Sequence, residues 1–86
     1  MTTPSNIPIT DIEYTRISSN STEYLAQNVG KNPIWIAGTD EDLGATTTND
    51  LGGYYLETYV TIGNIGLKNK PYVYAKAFTG TSSVRI

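Results

Sequence analysis

The sequence contains neither cysteine nor histidine, and these two absences remove several classes of function at once. Without cysteine the chain has no disulfide, no thiolate metal site and no thiol nucleophile, so a reducing compartment is compatible with it. Without histidine it also lacks the commonest general base. Basic residues are scarce, because six Lys and Arg against eight Asp and Glu give a net charge of −2. That balance disfavours a phosphate-binding face, so we expect no nucleic-acid partner.

Long hydrophobic runs are missing as well. No stretch has the length of a membrane span, and the first ten residues, MTTPSNIPIT, lack the basic region and apolar core of a signal peptide. We therefore expect a soluble protein with no membrane partner. A chain of 86 residues with 38% hydrophobic content has room for one compact domain.

The residues that are present favour strands over helices. Thr, Tyr, Ile and Val are common, Gly, Pro and Asn recur at short intervals, and no window keeps a 3.6-residue apolar period. The pattern predicts an all-β fold, a small antiparallel β-sandwich or barrel-like domain of about six strands. The expected strands are residues 11–18, 23–29, 33–39, 54–62, 71–78 and 82–86.

Alternation of apolar and polar residues predicts which side of each strand faces the core. We expect hairpins at residues 29–33, VGKNP, and between the last two strands. The predicted core side chains are Leu25, Val29, Ile34, Ile36, Tyr54, Leu56, Thr58, Val60, Ile62, Val73, Ala75, Val84 and Ile86.

Residues 1–11 are predicted to form an extended N-terminal arm ahead of a single β-sandwich domain at residues 12–86. Pro4 and Pro8 keep the arm extended, while Ile7 and Ile9 carry apolar side chains at strand spacing. Such an arm can attach to a neighbouring subunit, and the alternative is a frayed terminus. We expect both chain ends to be held in interfaces.

The polar loop at residues 38–53 contains the one acidic run, residues 40–42, followed by Asp50. A Ca²⁺ site is conceivable there, but the spacing matches no EF-hand loop, so a solvated turn without metal or cofactor is the preferred interpretation. No pair of carboxylates or serine motif suits catalysis, because Glu13 and Glu57 lie on outward strand positions and the serines lie beside turns. We expect a protein that is not an enzyme.

Seven tyrosines stand beside one Phe and one Trp. Tyrosine suits surfaces that become partly buried in contacts, although ordinary sheet packing also favours it. A domain this small buries only about 60–65% of its unfolded surface, so a homo-oligomer such as a trimer would supply further burial. The candidate interface residues are Ile7, Ile9, Leu43, Leu51, Tyr55, Tyr59, Tyr72 and Tyr74.

The order LAQNVGKNPIWIA, a Gly-rich polar loop and YVYAKAFTGTSSVRI resembles small virion proteins of tailed bacteriophages, over residues 12–86. The resemblance implies a β-sandwich of the kind found in decoration, head-fibre and neck or tail accessory proteins. It further implies a non-enzymatic structural protein of the virion, made in the host cytoplasm, which contacts the major capsid protein or other virion proteins. The preferred interpretation is a capsid decoration (cement) or head-surface protein.

Two alternatives remain open at this point. A neck, tail or fibre-attachment component of the same kind of particle would share every feature described above. A small carbohydrate-binding module would instead use exposed tyrosine rings and the acidic loop to hold a glycan, with or without Ca²⁺.

Overall fold

The structure, a computed structural model, describes residues 6–18, 25–63 and 66–86. Across these ranges the regular elements are all β-strands, and no helix has the length and apolar character needed to span a bilayer. The nine strands are β1 (Asn6–Thr10), β2 (Tyr14–Ser18), β3 (Leu25–Asn28), β4 (Ile34–Thr39), β5 (Thr46–Thr47), β6 (Tyr54–Leu56), β7 (Thr61–Gly63), β8 (Tyr72–Ala77) and β9 (Thr81–Arg85).

The strands form two antiparallel sheets. The four-stranded sheet has the order β1-β9-β3-β7 and the five-stranded sheet the order β5-β2-β8-β4-β6. The inner faces of the two sheets enclose one hydrophobic core, which confirms the predicted all-β sandwich. The buried core side chains are Ile9, Ile17, Ala26, Ile34, Ile36, Leu56, Leu67, Val73, Ala75, Ala77 and Val84.

Alternation along β4 and β8 explains why these two strands occupy the middle of their sheet. Ile34 lies opposite Ala77 and Ile36 opposite Ala75, and all four side chains are buried in the core. The small alanines on β8 leave room for the larger isoleucines on the neighbouring strand β4 to fill the space between the two sheets.

Both predicted hairpins are wrong. β3 belongs to the four-stranded sheet and β4 to the five-stranded sheet, so residues 29–33 cross from one layer to the other. β8 and β9 are likewise in different sheets, and β9 lies between β1 and β3. In each case the two strands lie in different layers of the sandwich instead of pairing side by side.

The predicted strand at residues 54–62 is also wrong. β6 and β7 belong to different sheets, and Tyr59 between them has a left-handed backbone with φ of 67°. The chain turns there, and Val60 just after the turn is exposed and not in the core; Tyr54 at the start of β6 is exposed as well. Two other predicted core residues, Leu25 and Ile86, are exposed as well.

Residues 6–10 do not form a free arm. They are β1, which pairs with β9 from Asn6 opposite Arg85 to Thr10 opposite Thr81. Ile9 is buried in the core and Ile7 packs against it. The rest of the predicted arm towards the N-terminus, residues 1–5, lies outside the described residues, as does Tyr24.

Candidate functional site

Two of the predicted contact residues are buried inside the chain and cannot form a contact surface. Ile9 is in the core, as described above. Tyr74 points away from the core but is covered by the loop that follows β4. Its hydroxyl accepts a hydrogen bond from Leu43 N at 2.9 Å and donates one to Gly44 O at 2.7 Å. Tyr74 therefore fastens this loop onto the outer face of the five-stranded sheet.

An ion pair reinforces the same loop. Arg16 Nη1 lies 2.6 Å from Asp42 Oδ1, and that oxygen also accepts a hydrogen bond from Gly44 N at 2.9 Å. The Gly44 N–H and then the Arg16 guanidinium hold the pKa of Asp42 below its usual range, because both favour the charged carboxylate. Leu43 within the loop is half-buried, and together these contacts give the loop a structural role.

The structure does not bring the other predicted contact residues together. Tyr72 and Leu51 are half-buried, and Leu51 lines a shallow hollow beside Leu67 that is separate from Tyr72. Only Tyr55 and Tyr59 of the predicted set are well exposed, and they lie on different parts of the surface.

Hydrogen bonds hold the backbone of Tyr59, although the residue is 71% exposed. Its backbone N donates to Asn28 O at 2.6 Å, and its carbonyl accepts from Gln27 Nε2 at 3.0 Å. Asn28 N donates in turn to Val60 O at 3.2 Å. A left-handed backbone costs a bulky residue such as tyrosine of the order of 1–3 kcal/mol, so these bonds maintain an unfavourable conformation that displays the ring.

The Asn28 side chain fixes the base of this turn. It is completely buried, and its amide donates to Asn32 O at 2.9 Å and to Leu56 O at 3.1 Å. Its Oδ1 accepts from Gly30 N at 3.1 Å and from Ser82 Oγ at 3.0 Å, and the single Ser82 hydroxyl proton is shared with Asn32 O at 2.8 Å. Both the nitrogen and the oxygen of the Asn28 amide are therefore hydrogen-bonded, which joins both sheets at one end of the sandwich.

A second surface lies on the outer face of the five-stranded sheet. Trp35 on β4 is opposite Tyr55 on β6, and their ring centroids are 5.5 Å apart. Phe78, just after β8, lies 6.1 Å from Trp35 and 6.0 Å from Tyr55. Tyr55 is 46% and Phe78 53% exposed. These three rings, here called the aromatic cluster, pack edge-on or tilted while leaving much of their surface open.

A groove of about 550 Å³ runs beside Trp35 and Phe78. Its opposite wall is the loop before β6, which Tyr14 holds through a hydrogen bond from its hydroxyl to Gly52 O at 2.9 Å. Gly53, with φ of 99°, allows close approach to β4, because a Cβ there would lie 2.3 Å from Ile36 O. The two consecutive glycines thus build the wall.

Polar groups line the rim of the groove. Asp11 Oδ2 accepts a hydrogen bond from Gly80 N at 3.0 Å, and Asp50 Oδ1 accepts one from Gly52 N at 3.0 Å. Lys76 Nζ lies 5.7 Å from the centre of the Tyr14 ring. Burial raises the pKa of Tyr14, and the Asp50 carboxylate raises it further, which keeps the phenol neutral.

The acidic loop does not form a metal centre in the described part of the chain. Asp40 pairs with Lys70 at 2.8 Å, Asp42 with Arg16, and Asp50 caps its own turn. No group of three or more acidic side chains lies close enough to hold an ion within residues 6–18, 25–63 and 66–86.

Sequence reasoning missed the groove. Trp35, Phe78, Tyr14 and Lys76 were not among the predicted site residues. The alternation of β4 does place Trp35 outward between buried Ile34 and Ile36, and that signal could have found it. Comparison of the chain with known proteins gave no matching protein-family model, no matching curated protein and no matching solved structure.

Proposed function

We propose that the chain is a non-enzymatic structural protein of a tailed-bacteriophage virion, a capsid decoration or head-surface protein that attaches through contacts between subunits. The resemblance over residues 12–86 to small virion proteins supports a place in a bacteriophage particle, and a compact β-sandwich is suited to a structural subunit. The observation that carries the contact mechanism is Tyr59, an exposed ring held in an unfavourable backbone conformation by hydrogen bonds from its own fold.

The energetic reason is that a residue with its backbone already ordered loses less conformational entropy when it binds. Tyrosine is enriched among residues that dominate interface energies, and a backbone that is fixed before contact avoids part of the cost of ordering. Val60 beside it is also exposed, so the turn offers an apolar patch. Repeated across a lattice, many such modest contacts reinforce a shell together.

The test compares two substitutions at exposed, left-handed positions. Tyr59→Gly removes the ring and relieves the backbone, so the fold should retain its stability to within about 1 kcal/mol. Lys68→Gly is the matched control, since Lys68 is also exposed, with φ of 59°. Binding to particles of the encoding phage prepared without the chain, measured by co-sedimentation, should fall at least tenfold for Tyr59→Gly and remain unchanged for Lys68→Gly.

Quantitative mass spectrometry of purified virions tests the particle itself. Copies on the order of hundreds per particle support a decoration or head-surface position, and about a dozen or fewer support the neck, tail or fibre-attachment alternative. Absence of the chain from purified virions would overturn the proposal. If the chain is present but Tyr59→Gly binds as well as the unchanged protein, the contact surface lies elsewhere.

A further inference from the structure

The groove beside the aromatic cluster combines three kinds of chemistry in one place. Trp35 and Phe78 offer aromatic surface, Asp11 and Asp50 offer carboxylate acceptors, and Lys76 offers an ammonium donor. Its volume of about 550 Å³ lies within the range of about 300–1,000 Å³ typical of small-molecule sites. Tyr59 is not among the lining residues, so this site is separate from the proposed contact turn.

The carboxylates are oriented but not saturated. Each gives one oxygen to a backbone N–H, which fixes its direction, and in the part of the chain that the structure describes the second oxygen has no hydrogen-bond partner. Lys76 forms no ion pair with any described residue. These groups can therefore bind a polar ligand without first breaking an internal salt bridge.

Several ligand classes fit this combination poorly. Two carboxylates against one ammonium repel phosphate and other anions. A purely apolar ligand would bury the carboxylates without partners, which is costly. A ligand with many hydroxyls and a flat face of C–H groups meets both requirements, since hydroxyls donate to carboxylates and C–H groups carry the partial positive charge that aromatic faces attract.

We propose that this groove binds a short neutral oligosaccharide, with one sugar ring against Trp35 and Phe78 and its hydroxyls hydrogen-bonded to Asp50 and Asp11. Tyr55 extends the aromatic surface beyond the groove, where it meets a neighbouring sugar. The loop with Gly52 and Gly53, which the Tyr14 hydroxyl holds in place, forms the opposite wall, so the groove is already formed without ligand. The proposal does not depend on the virion assignment.

Trp35 is the one tryptophan in the sequence, and its fluorescence reports directly on the groove. The purified full chain is titrated with maltotriose, cellotriose and tri-N-acetylchitotriose as neutral probes, and with 3′-sialyllactose and a heparin fragment as anionic probes. At least one neutral probe should shift the emission saturably, and isothermal titration calorimetry should give the same affinity. The anionic probes should bind at least tenfold more weakly.

Two substitutions and one control locate the binding. Phe78→Ala should weaken the affinity for the bound probe at least tenfold. Asp50→Asn keeps the acceptor for Gly52 N but removes the charge, so it should weaken binding about three- to tenfold even if Phe78→Ala proves unstable. Lys68→Gly removes an exposed side chain outside the groove and should leave the affinity unchanged.

Four results would overturn the proposal. The first is that no neutral probe binds, and the second is that the anionic probes bind more tightly than the neutral ones. The third is that neither groove substitution changes the affinity. The fourth is that Trp35 emission changes with the concentration of the protein and not with that of the probe, which would show that a second copy of the chain covers the groove. Because these titrations contain no phage particle, their failure would leave the Tyr59 contact and the virion assignment unaffected.

Discussion

Replacing Asn28 with leucine should be among the most damaging substitutions in this domain. Leucine has nearly the shape of asparagine but removes all four side-chain hydrogen bonds. Ser82 Oγ and Asn32 O retain each other at 2.8 Å, so their loss is partly compensated. Gly30 N loses its partner in the described part of the chain, and Leu56 O loses the Asn28 amide. At about 0.5–1.5 kcal/mol for each of the four hydrogen bonds removed, the substitution should cost about 2–6 kcal/mol.

That cost is large compared with the stability of the whole domain. A chain of 86 residues has a free energy of unfolding of about 4–13 kcal/mol. Urea denaturation followed by Trp35 fluorescence would measure the change, and with a slope of about 1 kcal/mol per M the midpoint should fall by about 2 M or more. Hydrogen exchange should also rise at the Tyr59 amide, because Asn28 O is its acceptor.

Asn49 provides the matched control for this experiment. It is exposed, and its side chain forms no hydrogen bond with any described residue, so Asn49→Leu should change stability by less than about 0.5 kcal/mol. If Asn28→Leu destabilised the domain by no more than Asn49→Leu, the hydrogen bonds of the Asn28 side chain would contribute no measurable stability. They would then not stabilise the turn at Tyr59 either.

Three further predictions concern the outer face of the five-stranded sheet. Tyr74→Phe removes the hydroxyl that holds the covering loop, so stability measured by urea denaturation should fall by about 1–3 kcal/mol, and an unchanged midpoint would contradict the loop's attachment. Hydrogen bonding from Gly44 N lowers the folded-state pKa of Asp42, so its stabilisation is complete above the usual carboxyl pKa and is lost as pH falls through the folded value. Asp42→Asn should therefore flatten the acid limb of a stability–pH curve, and an unaltered limb would refute this assignment. Gly53→Ala places a Cβ 2.3 Å from Ile36 O at a φ of 99°, so it should cost about 1–3 kcal/mol or more and raise proteolysis of the groove wall, whereas a fully stable variant would be inconsistent with the observed packing.

The sequence predicted the position of most of the longer strands but not how the strands pair. Val73, Ala75 and Val84 alternate with polar residues, and all three are buried as expected. Alternation is the same whether two strands lie side by side in one sheet or face each other across a core. The short connection at residues 78–80 suggested a hairpin, but β9 instead pairs with β1 from the other end of the chain. Only contacts distant in sequence decide between these arrangements.

The two proposed functional surfaces were predictable to different degrees. Tyr59 was a candidate contact residue because of its type, yet nothing local indicates a turn there, since neither glycine nor asparagine occupies the left-handed position. Hydrogen bonds from Gln27 and Asn28, about thirty residues earlier, impose that conformation. Tyr74 was assigned correctly to the outward side of its strand, but alternation cannot show that a loop folds back over that side.

The outer face of the five-stranded sheet is covered at one end and open at the other, and the reason bears on the proposed glycan site. At one end the loop at residues 40–44 lies over Tyr74, held by hydrogen bonds and an ion pair. At the other end the same long connection is fastened by Tyr14 at the groove's edge and stops short of the aromatic cluster. Covering those rings would have stabilised the fold by about 25 cal/mol for each Å² of apolar surface removed from water. A small domain without disulfides that leaves Tyr55 and Phe78 half exposed gives up that stabilisation, and a ligand that stacks on the rings would recover it.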